Sequence, residues 1–393
     1  MSARPLIIAT ILPEEGVTGV HTHIGQLRRH LRENGMAATL VTPFSWGGPL
    51  SYPVFGLRPL ILERCSGSAS VAWYRHWHEV FLRKALRRCL AERGECVVYA
   101  QEPVAARAAL RARRGPYQRV VLAVHFQTSQ ADEWAYKNEI RRDGRLFRAI
   151  RQYERQVIPR VDRLVYVSQS ARNGILSWLP EAAAVPSAVI SNFVSPLRSA
   201  PGQEPLGDLV TVGSLLRAKN HSFLLDVLAG ASRAGRPLTL DIFGEGPLRK
   251  DLLRQASRLG LGEQVRLRGF RPDVRDFLPR YRAYVHASYL ESQSLAIIEA
   301  MAAGLPIVAG AVGGICELCD EGVEARFWPL DDPAQAAATL IGLLDCEPAR
   351  AKAARAANER FHRDFDAGVV APALVSFLLA TTPPAAATTG GHR

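Results

Sequence analysis

The sequence predicts an α/β protein made of two doubly wound domains, each built on a parallel sheet. The chain has 393 residues, which is too long for one ordinary core and suits two domains. Short apolar runs alternate with amphipathic stretches, and this alternation restarts after a proline-containing break at residues 196–205. We therefore expect an N-terminal domain at residues 1–195, a C-terminal domain at 196–380 and a disordered tail at 381–393. The prediction allows the last helix to pack back on the N-terminal domain.

The N-terminal half begins with an apolar run at residues 6–11 that predicts a buried strand. A glycine-containing loop follows, and residues 23–34 predict a helix with one apolar face that ends at Gly35. Further short apolar runs predict strands at residues 38–42, 97–100, 120–125 and 164–168.

The C-terminal half repeats the pattern. Strands are predicted at residues 209–212, 238–243, 265–267, 284–287 and 307–309. Helices are predicted at residues 222–229, 247–259 and 295–303. Because parallel strands end at a common edge, we expect the ligand in a crevice at their carboxyl ends.

Composition favours a cytosolic globular protein. Hydrophobic residues make up 48% of the chain, yet no window reaches the ~18 uncharged apolar residues of a membrane span. The N-terminal apolar segment is too short for a secretory signal. Cys316 and Cys319 have a C-x-x-C spacing, but no second pair follows, so we expect packed thiols rather than a metal or redox site.

The net positive charge of the chain comes entirely from its N-terminal half. Residues 1–195 contain 27 Lys and Arg against 15 Asp and Glu, whereas residues 196–393 contain 22 of each. This asymmetry suggests an anionic partner, such as a membrane surface or a phosphorylated acceptor. No nucleic-acid-binding signature accompanies the charge, so nucleic acid is not expected. A solvated arginine-rich face is the alternative.

The most informative segment runs from Glu291 to the Gly-Leu-Pro at residues 304–306. Ser294 is a good helix-initiating residue, and Gly-Leu-Pro ends the helix before the next strand. The helix that starts at Leu295 therefore presents N–H groups and a positive dipole end, which suit a diphosphate. Glu291 precedes this helix and Glu299 lies on it, so their carboxylates can accept hydroxyl protons from a sugar and a ribose.

At this point the sequence resembles a known family. Two glutamates separated by seven residues and followed by Ala-Met-Ala-Ala-Gly-Leu-Pro are similar to the retaining glycosyltransferases of family 4. That family has the GT-B fold, two Rossmann-like domains facing an interdomain cleft. Other stretches resemble family motifs in the family's order: residues 19–23, His125, 191–194, 212–220, 243–247 and 268–270.

The resemblance implies the site residues. It assigns catalytic roles to Lys219, Glu291 and His125. It assigns donor binding to Gly19, Gly213, Arg217, Gly244, Gly246, Gly269, Phe270, Ser294, Leu295 and Glu299. The purely structural alternatives are that the glycines only form turns, that Lys219 is a surface lysine and that His125 is a hydrogen-bonded polar residue at the end of a strand.

The chain also departs from the family. Ser214 stands where the family has an arginine, so we expect Lys219 to neutralise the phosphates, with Arg217 as a substitute. Thr18 replaces the first glycine of the N-terminal loop, and Cys316 replaces a proline.

The reaction implied is transfer of a sugar from UDP, GDP or another nucleoside diphosphate to a glycan, polysaccharide, lipid-linked or small-molecule hydroxyl, with retention. The leaving phosphate would help to deprotonate the acceptor. The predicted donor-site segments contain no Asp-x-Asp motif, so no cofactor or metal requirement is expected. Two alternatives stay open: a GT-B epimerase or phosphorylase, and a degenerate sugar-nucleotide-binding module. A dinucleotide oxidoreductase is disfavoured because Gly-x-Gly-x-x-Gly is missing after the first strand.

Residues 75–93 predict a basic amphipathic helix. Its basic residues are Arg75, Arg83, Lys84, Arg87, Arg88 and Arg93, and its apolar ones are Trp77, Phe81, Leu82, Ala85, Leu86 and Cys89. Such a helix can lie on an anionic leaflet, which predicts peripheral association with the inner face of the plasma membrane. A core helix with a wet basic face is the alternative.

Overall fold

The computed structural model describes residues 4–47, 54–56, 66–197 and 204–381. Apart from Thr381, the predicted tail lies outside the described residues. The chain divides into two compact units. The N-terminal unit comprises Met1–Ile190 with Ala371–Arg393, and the C-terminal unit comprises Ser191–Val370.

The N-terminal unit contains a parallel sheet with the strand order β2-β1-β3-β4-β5-β6. Its strands are β1 Leu6–Ala9, β2 Ala38–Val41, β3 Cys96–Ala100, β4 Gln118–Val124, β5 Arg163–Tyr166 and β6 Ser187–Val189. Strands β1, β3 and β5 are buried along their whole length, as expected for parallel strands covered by helices on both faces.

Helices connect these strands. They are α1 Gly19–Glu33, α2 Gly67–Ala91, α3 Pro103–Ala112, α4 Gln130–Tyr136, α5 Arg145–Val157 and α6 Gln169–Leu176. Helix α1 begins four residues before the predicted start at residue 23. Thr18 adopts an extended conformation at the N-cap, a position that threonine favours, so Gly19 is the first helical residue.

Helix α2 favours the alternative interpretation of residues 75–93, a core helix with an exposed basic face. Its apolar side packs in the core of the N-terminal unit, where Phe81, Leu82 and Leu86 are fully buried. Arg75 is also buried, and its Nη1 donates to Gln130 Oε1 at 2.7 Å. The apolar side of α2 therefore packs against the protein's own core, whereas the basic residues 84, 87 and 88 are exposed.

The C-terminal unit contains a second parallel sheet with the order β12-β11-β10-β7-β8-β9. Its strands are β7 Leu209–Val212, β8 Leu240–Phe243, β9 Val265–Gly269, β10 Ala283–His286, β11 Ile307–Gly310 and β12 Ala325–Trp328. Its helices are α7 His221–Arg233, α8 Arg249–Arg258, α9 Leu295–Ala302, α10 Ile315–Leu318, α11 Pro333–Asp345 and α12 Glu347–Asp364. The two parallel-sheet units confirm the predicted fold class.

The last helix, α13 Ala367–Leu379, starts in the C-terminal unit and ends in the N-terminal one. Within the N-terminal unit, arginines of β4 and β5 cap its end. Arg119 Nη2 donates to Leu379 O at 3.3 Å, and Arg163 Nη1 donates to Phe377 O at 2.5 Å. These bonds satisfy carbonyls that a helix C-terminus leaves without intrahelical partners.

Two further observations concern the described residues. None of their helices has the length and apolarity needed to cross a membrane. Cys316 is exposed and Cys319 is buried, and both thiols are free.

Candidate functional site

The carboxyl edge of the C-terminal sheet gathers most of the predicted donor-binding residues. Strands β7 and β10 are neighbours, so the loops after them meet although they are far apart in sequence. The loop after β7 makes a short 3₁₀ turn at Arg217–Lys219 and then reverses at Asn220, which has a φ of 50°. Tyr289 N donates to Ala218 O at 3.0 Å and joins the two loops.

This arrangement brings Lys219 and Glu291 together. Lys219 Nζ donates to Glu291 Oε1, and His286 Nε2 donates to the same oxygen at 3.0 Å. Burial by itself would raise the pKa of the Glu291 carboxyl, but the Lys219 charge and the bond from His286 outweigh it and hold the pKa well below its usual range. Glu291 is therefore an ionised, oriented carboxylate whose Oε2 has no hydrogen-bond partner among the described residues.

His286 is a site residue that the sequence reasoning missed. It is the last residue of β10 and is 3% exposed, and Trp328 Nε1 donates to its carbonyl oxygen at 3.2 Å. His221 follows Lys219 at the start of α7, and burial with the nearby His286 and Lys219 lowers its pKa to about 3. The available signal was a histidine closing an apolar run, the same signal that singled out His125.

Helix α9 begins where the sequence places it. Ser294 is the N-cap, and its Oγ accepts a bond from Ile297 N at 3.4 Å. Leu295 is the first helical residue, so the first-turn N–H groups have no intrahelical acceptor. Just before the helix, Gln293 Oε1 accepts a bond from Asn192 N at 2.6 Å, which ties the chain entering the C-terminal unit to this turn.

Glu299 lies on the second turn of α9, beside Arg275. The distance from Arg275 Nε to Glu299 Oε1 is 3.8 Å. Burial raises the pKa of the Glu299 carboxyl to about 7, and Arg275 only partly opposes this. Burial also raises the pKa of the Tyr284 hydroxyl, and the charges of Glu291 and Glu299 add to the effect.

The predicted glycines pack against each other at the ends of β7, β8 and β9. Gly244 has a φ of 148°, and a Cβ there would lie 1.9 Å from Gly213 O. A Cβ on Gly246 would lie 2.6 Å from Leu215 O. Gly244 N donates to Gly269 O at 2.8 Å. These positions require glycine for close backbone approach, which brings the loops after β7 and β8 together at the sheet edge.

Three further residues from the sequence analysis are exposed in the C-terminal unit. Arg217 and Ser214 lie at the surface of the loop after β7. Among the described residues, the Arg217 side chain has no hydrogen bond or ion pair. Phe270 follows β9 and is 46% exposed.

The N-terminal unit has its own polar cluster at the carboxyl edge of its sheet. His125 follows β4, and its Nε2 lies 3.0 Å from Gln101 Oε1. Its ring meets that of His23 edge to face, with centroids 5.0 Å apart. Burial and the neighbouring His23 hold the pKa of His125 well below its usual value. His23 comes from α1, whose first residue is Gly19.

Comparisons with known proteins agree with this architecture. The family model described as "Glycosyltransferase Family 4" matches residues 17–198, and the one described as "Glycosyl transferases group 1" matches residues 207–346. A phosphatidyl-myo-inositol mannosyltransferase of Mycobacterium leprae is 27% identical over 364 residues, 90% of each chain. A glycogen synthase of Mycobacterium tuberculosis is 30% identical over 245 residues, 60% of this chain but only 58% of that protein.

Solved structures show the fold. The Anabaena protein Alr3699/HepE in complex with UDP-glucose has a TM-score of 0.69 at 17% identity and covers 95% of this chain and 99% of its own.

Proposed function

The chain belongs to the group 1 glycosyltransferases of family 4, and from this premise we propose that it is a retaining glycosyltransferase. Its donor is a nucleoside-diphosphate sugar, and its acceptor is a hydroxyl group of a glycan, a lipid-linked saccharide or a small molecule. The observation that carries the proposal is the cluster of Lys219, Glu291 and His286 beside the start of α9.

The chemical task in such a transfer is to stabilise the departing diphosphate. Lys219 supplies a positive charge at the sheet edge, and the first turn of α9 supplies N–H groups and the positive end of a helix dipole. The diphosphate would compete with Glu291 for the Lys219 ammonium. His286 would keep the Glu291 carboxylate in place when Lys219 turns to the phosphates.

The glutamates have separate roles in this proposal. Glu291 Oε2 accepts a hydrogen bond from a hydroxyl of the transferred sugar. Glu299 accepts hydrogen bonds from the ribose hydroxyls, which would add to Arg275 in stabilising a carboxylate whose pKa is raised to about 7 by burial. Neither acts as a nucleophile, since retention is proposed to follow from departure and attack on the same face of the sugar.

Names of relatives support the substrate classes. HepE is in complex with UDP-glucose, and the full-length relative is a phosphatidyl-myo-inositol mannosyltransferase. UDP- and GDP-sugars are therefore the donors to test, and a phosphorylated lipid is an acceptor to test. We propose a cytoplasmic location because the described cysteines are free thiols, as is usual in a reducing compartment.

The first experiment is a thermal-shift panel of UDP, GDP and their sugars, because a ligand bound only by the native state raises the melting temperature. The donor that stabilises the protein then enters a transfer assay with EDTA, and ¹H NMR reads the anomeric configuration. A product with retained configuration supports the proposal. Inversion refutes it, and so does a need for inorganic phosphate, sugar epimerisation without transfer, or binding without turnover with any acceptor.

A further inference from the structure

A second charged feature lies in the N-terminal unit, away from His125. Helix α3 starts after the carboxyl end of β3 and ends just before β4, and α5 ends just before β5. The ends of α3 and α5 therefore lie at the amino-terminal edge of the sheet, opposite the edge that carries His125. Between them is a recess of about 470 Å³. It is lined by Arg107, Leu110, Arg111, Arg113, Gln156, Val157 and Arg160.

Two carboxylates, the buried Glu79 and the half-buried Asp162, anchor three of these arginines from outside the lining. Glu79 Oε1 lies 3.0 Å from Arg111 Nη1 and 3.6 Å from Arg107 Nε. Asp162 Oδ2 lies 2.8 Å from Arg113 Nη1. A guanidinium has five N–H donors, so each anchored group keeps most of its donors for a ligand. The anchors also hold the side chains in place before any ligand arrives.

Arg160 is the fourth cation and lies exposed at the rim. Among the described residues its side chain has no ion pair or hydrogen bond. Four arginines with two carboxylates behind them leave an excess of two positive charges around one recess. Like charges gathered in this way repel each other, and a bound dianion would remove the repulsion.

We propose that this arginine pocket, formed by Arg107, Arg111, Arg113 and Arg160, binds a phosphate monoester at a site separate from the donor site. A phosphate monoester carries close to two negative charges at neutral pH and three acceptor oxygens. These match the excess charge and the fork-shaped donors of the guanidinium groups. The phosphate belongs either to an anionic lipid headgroup or to a free phosphate compound.

The test uses the full chain and two single variants. Arg160→Gln removes a pocket cation that supports no other side chain. Arg114→Gln removes an equal charge from an exposed arginine that is next in sequence to Arg113 but does not line the recess. Melting temperatures are measured against inorganic phosphate, with chloride keeping the ionic strength constant. The donor site is unchanged in all three proteins, so its contribution cancels in the comparison.

We expect Arg160→Gln to weaken the phosphate response about tenfold in apparent Kd, since a hydrogen bond to a charged group is lost. Arg114→Gln should change it less than about twofold. Equal effects of the two variants would indicate diffuse attraction to a basic surface and would overturn the proposal. A phosphate-dependent melting shift that is the same in Arg160→Gln as in the wild type would also overturn it.

Flotation with phosphatidylcholine vesicles, with and without phosphatidic acid, then identifies the source. If the protein floats with the vesicles only when phosphatidic acid and Arg160 are both present, the phosphate belongs to a lipid headgroup. If the protein responds to inorganic phosphate but does not float with the vesicles, the ligand is a free phosphate compound.

Discussion

Replacing Lys219 by alanine separates the electrostatic role of this lysine from its contribution to folding. Its ammonium donates to Glu291, whose carboxylate is 9% exposed. A hydrogen bond between charged groups contributes about 1.5–3 kcal/mol, so unfolding free energy should fall by this amount near neutral pH. The bond from His286 remains and limits the loss. In catalysis, loss of the charge beside the leaving diphosphate should lower kcat at least about tenfold, about 1.4 kcal/mol of barrier.

The assay is steady-state transfer with the donor chosen by thermal shift, together with urea unfolding of each variant. Lys250→Ala is the matched control, because Lys250 is an exposed lysine on α8 of the same unit. It should leave both kcat and stability unchanged. His286→Gln keeps a hydrogen-bond donor toward Glu291 and should cost less than Lys219→Ala in both measurements.

A folded Lys219→Ala protein with the kcat of the wild type would refute the reasoning, because no positive charge at Lys219 would then be needed. A loss of kcat that only parallels a loss of folded protein would point to a structural role instead. Both results can be told apart by measuring kcat per folded molecule.

Three further predictions follow from the same geometry. Glu299→Ala should lower turnover at least about tenfold if this carboxylate holds the ribose, and unchanged kinetics would remove it from the site. Gly244→Ala should destabilise the protein by about 1–3 kcal/mol or more in urea unfolding, because its Cβ would overlap Gly213 O; Gly235→Ala, at a φ of 76° but in open space, is the milder control. Burial raises the pKa of Glu102 from 4.5 to about 7 in the folded state, so its contribution to stability is full below about pH 4.5 and is lost as the pH rises through about 7. Glu102→Gln should remove about 3 kcal/mol of that pH dependence, measured as the change in unfolding free energy between acidic and neutral pH, and an unchanged slope would contradict it.

Sequence reasoning worked well where structure depends on nearby residues. Apolar alternation located ten of the twelve described strands, with β7 placed at its observed bounds and others shifted by a few residues, but it missed β6 and β12. Ser294 caps α9 as expected, because capping depends on one side chain and the next turn. The early start of α1 was missed, because the glycine-containing segment around Thr18 was assigned to a loop although threonine is a good N-cap residue.

The face of an amphipathic helix was harder to interpret. Periodicity identified an apolar and a basic side for residues 75–93, but the same pattern suits a membrane and a protein core. Packing of Leu82 and Leu86 in the core of the N-terminal unit favours the protein core. The buried Arg75 finds partners on other helices, since α4 supplies Gln130 and α5 supplies the Tyr153 ring.

The sequence alone determined the alternation of elements, the turn chemistry and the residue types suited to a diphosphate, because these follow from hydrogen bonding and periodicity within a few residues. The tertiary structure decided which polar groups meet. Lys219 reaches Glu291, which His286 also contacts, because β10 pairs with β7, and the ring of His23 on α1 meets that of His125 after β4. The strand order brings together residues that are far apart in the chain. This order depends on how the complete sheet packs and is buried, which local sequence patterns do not specify.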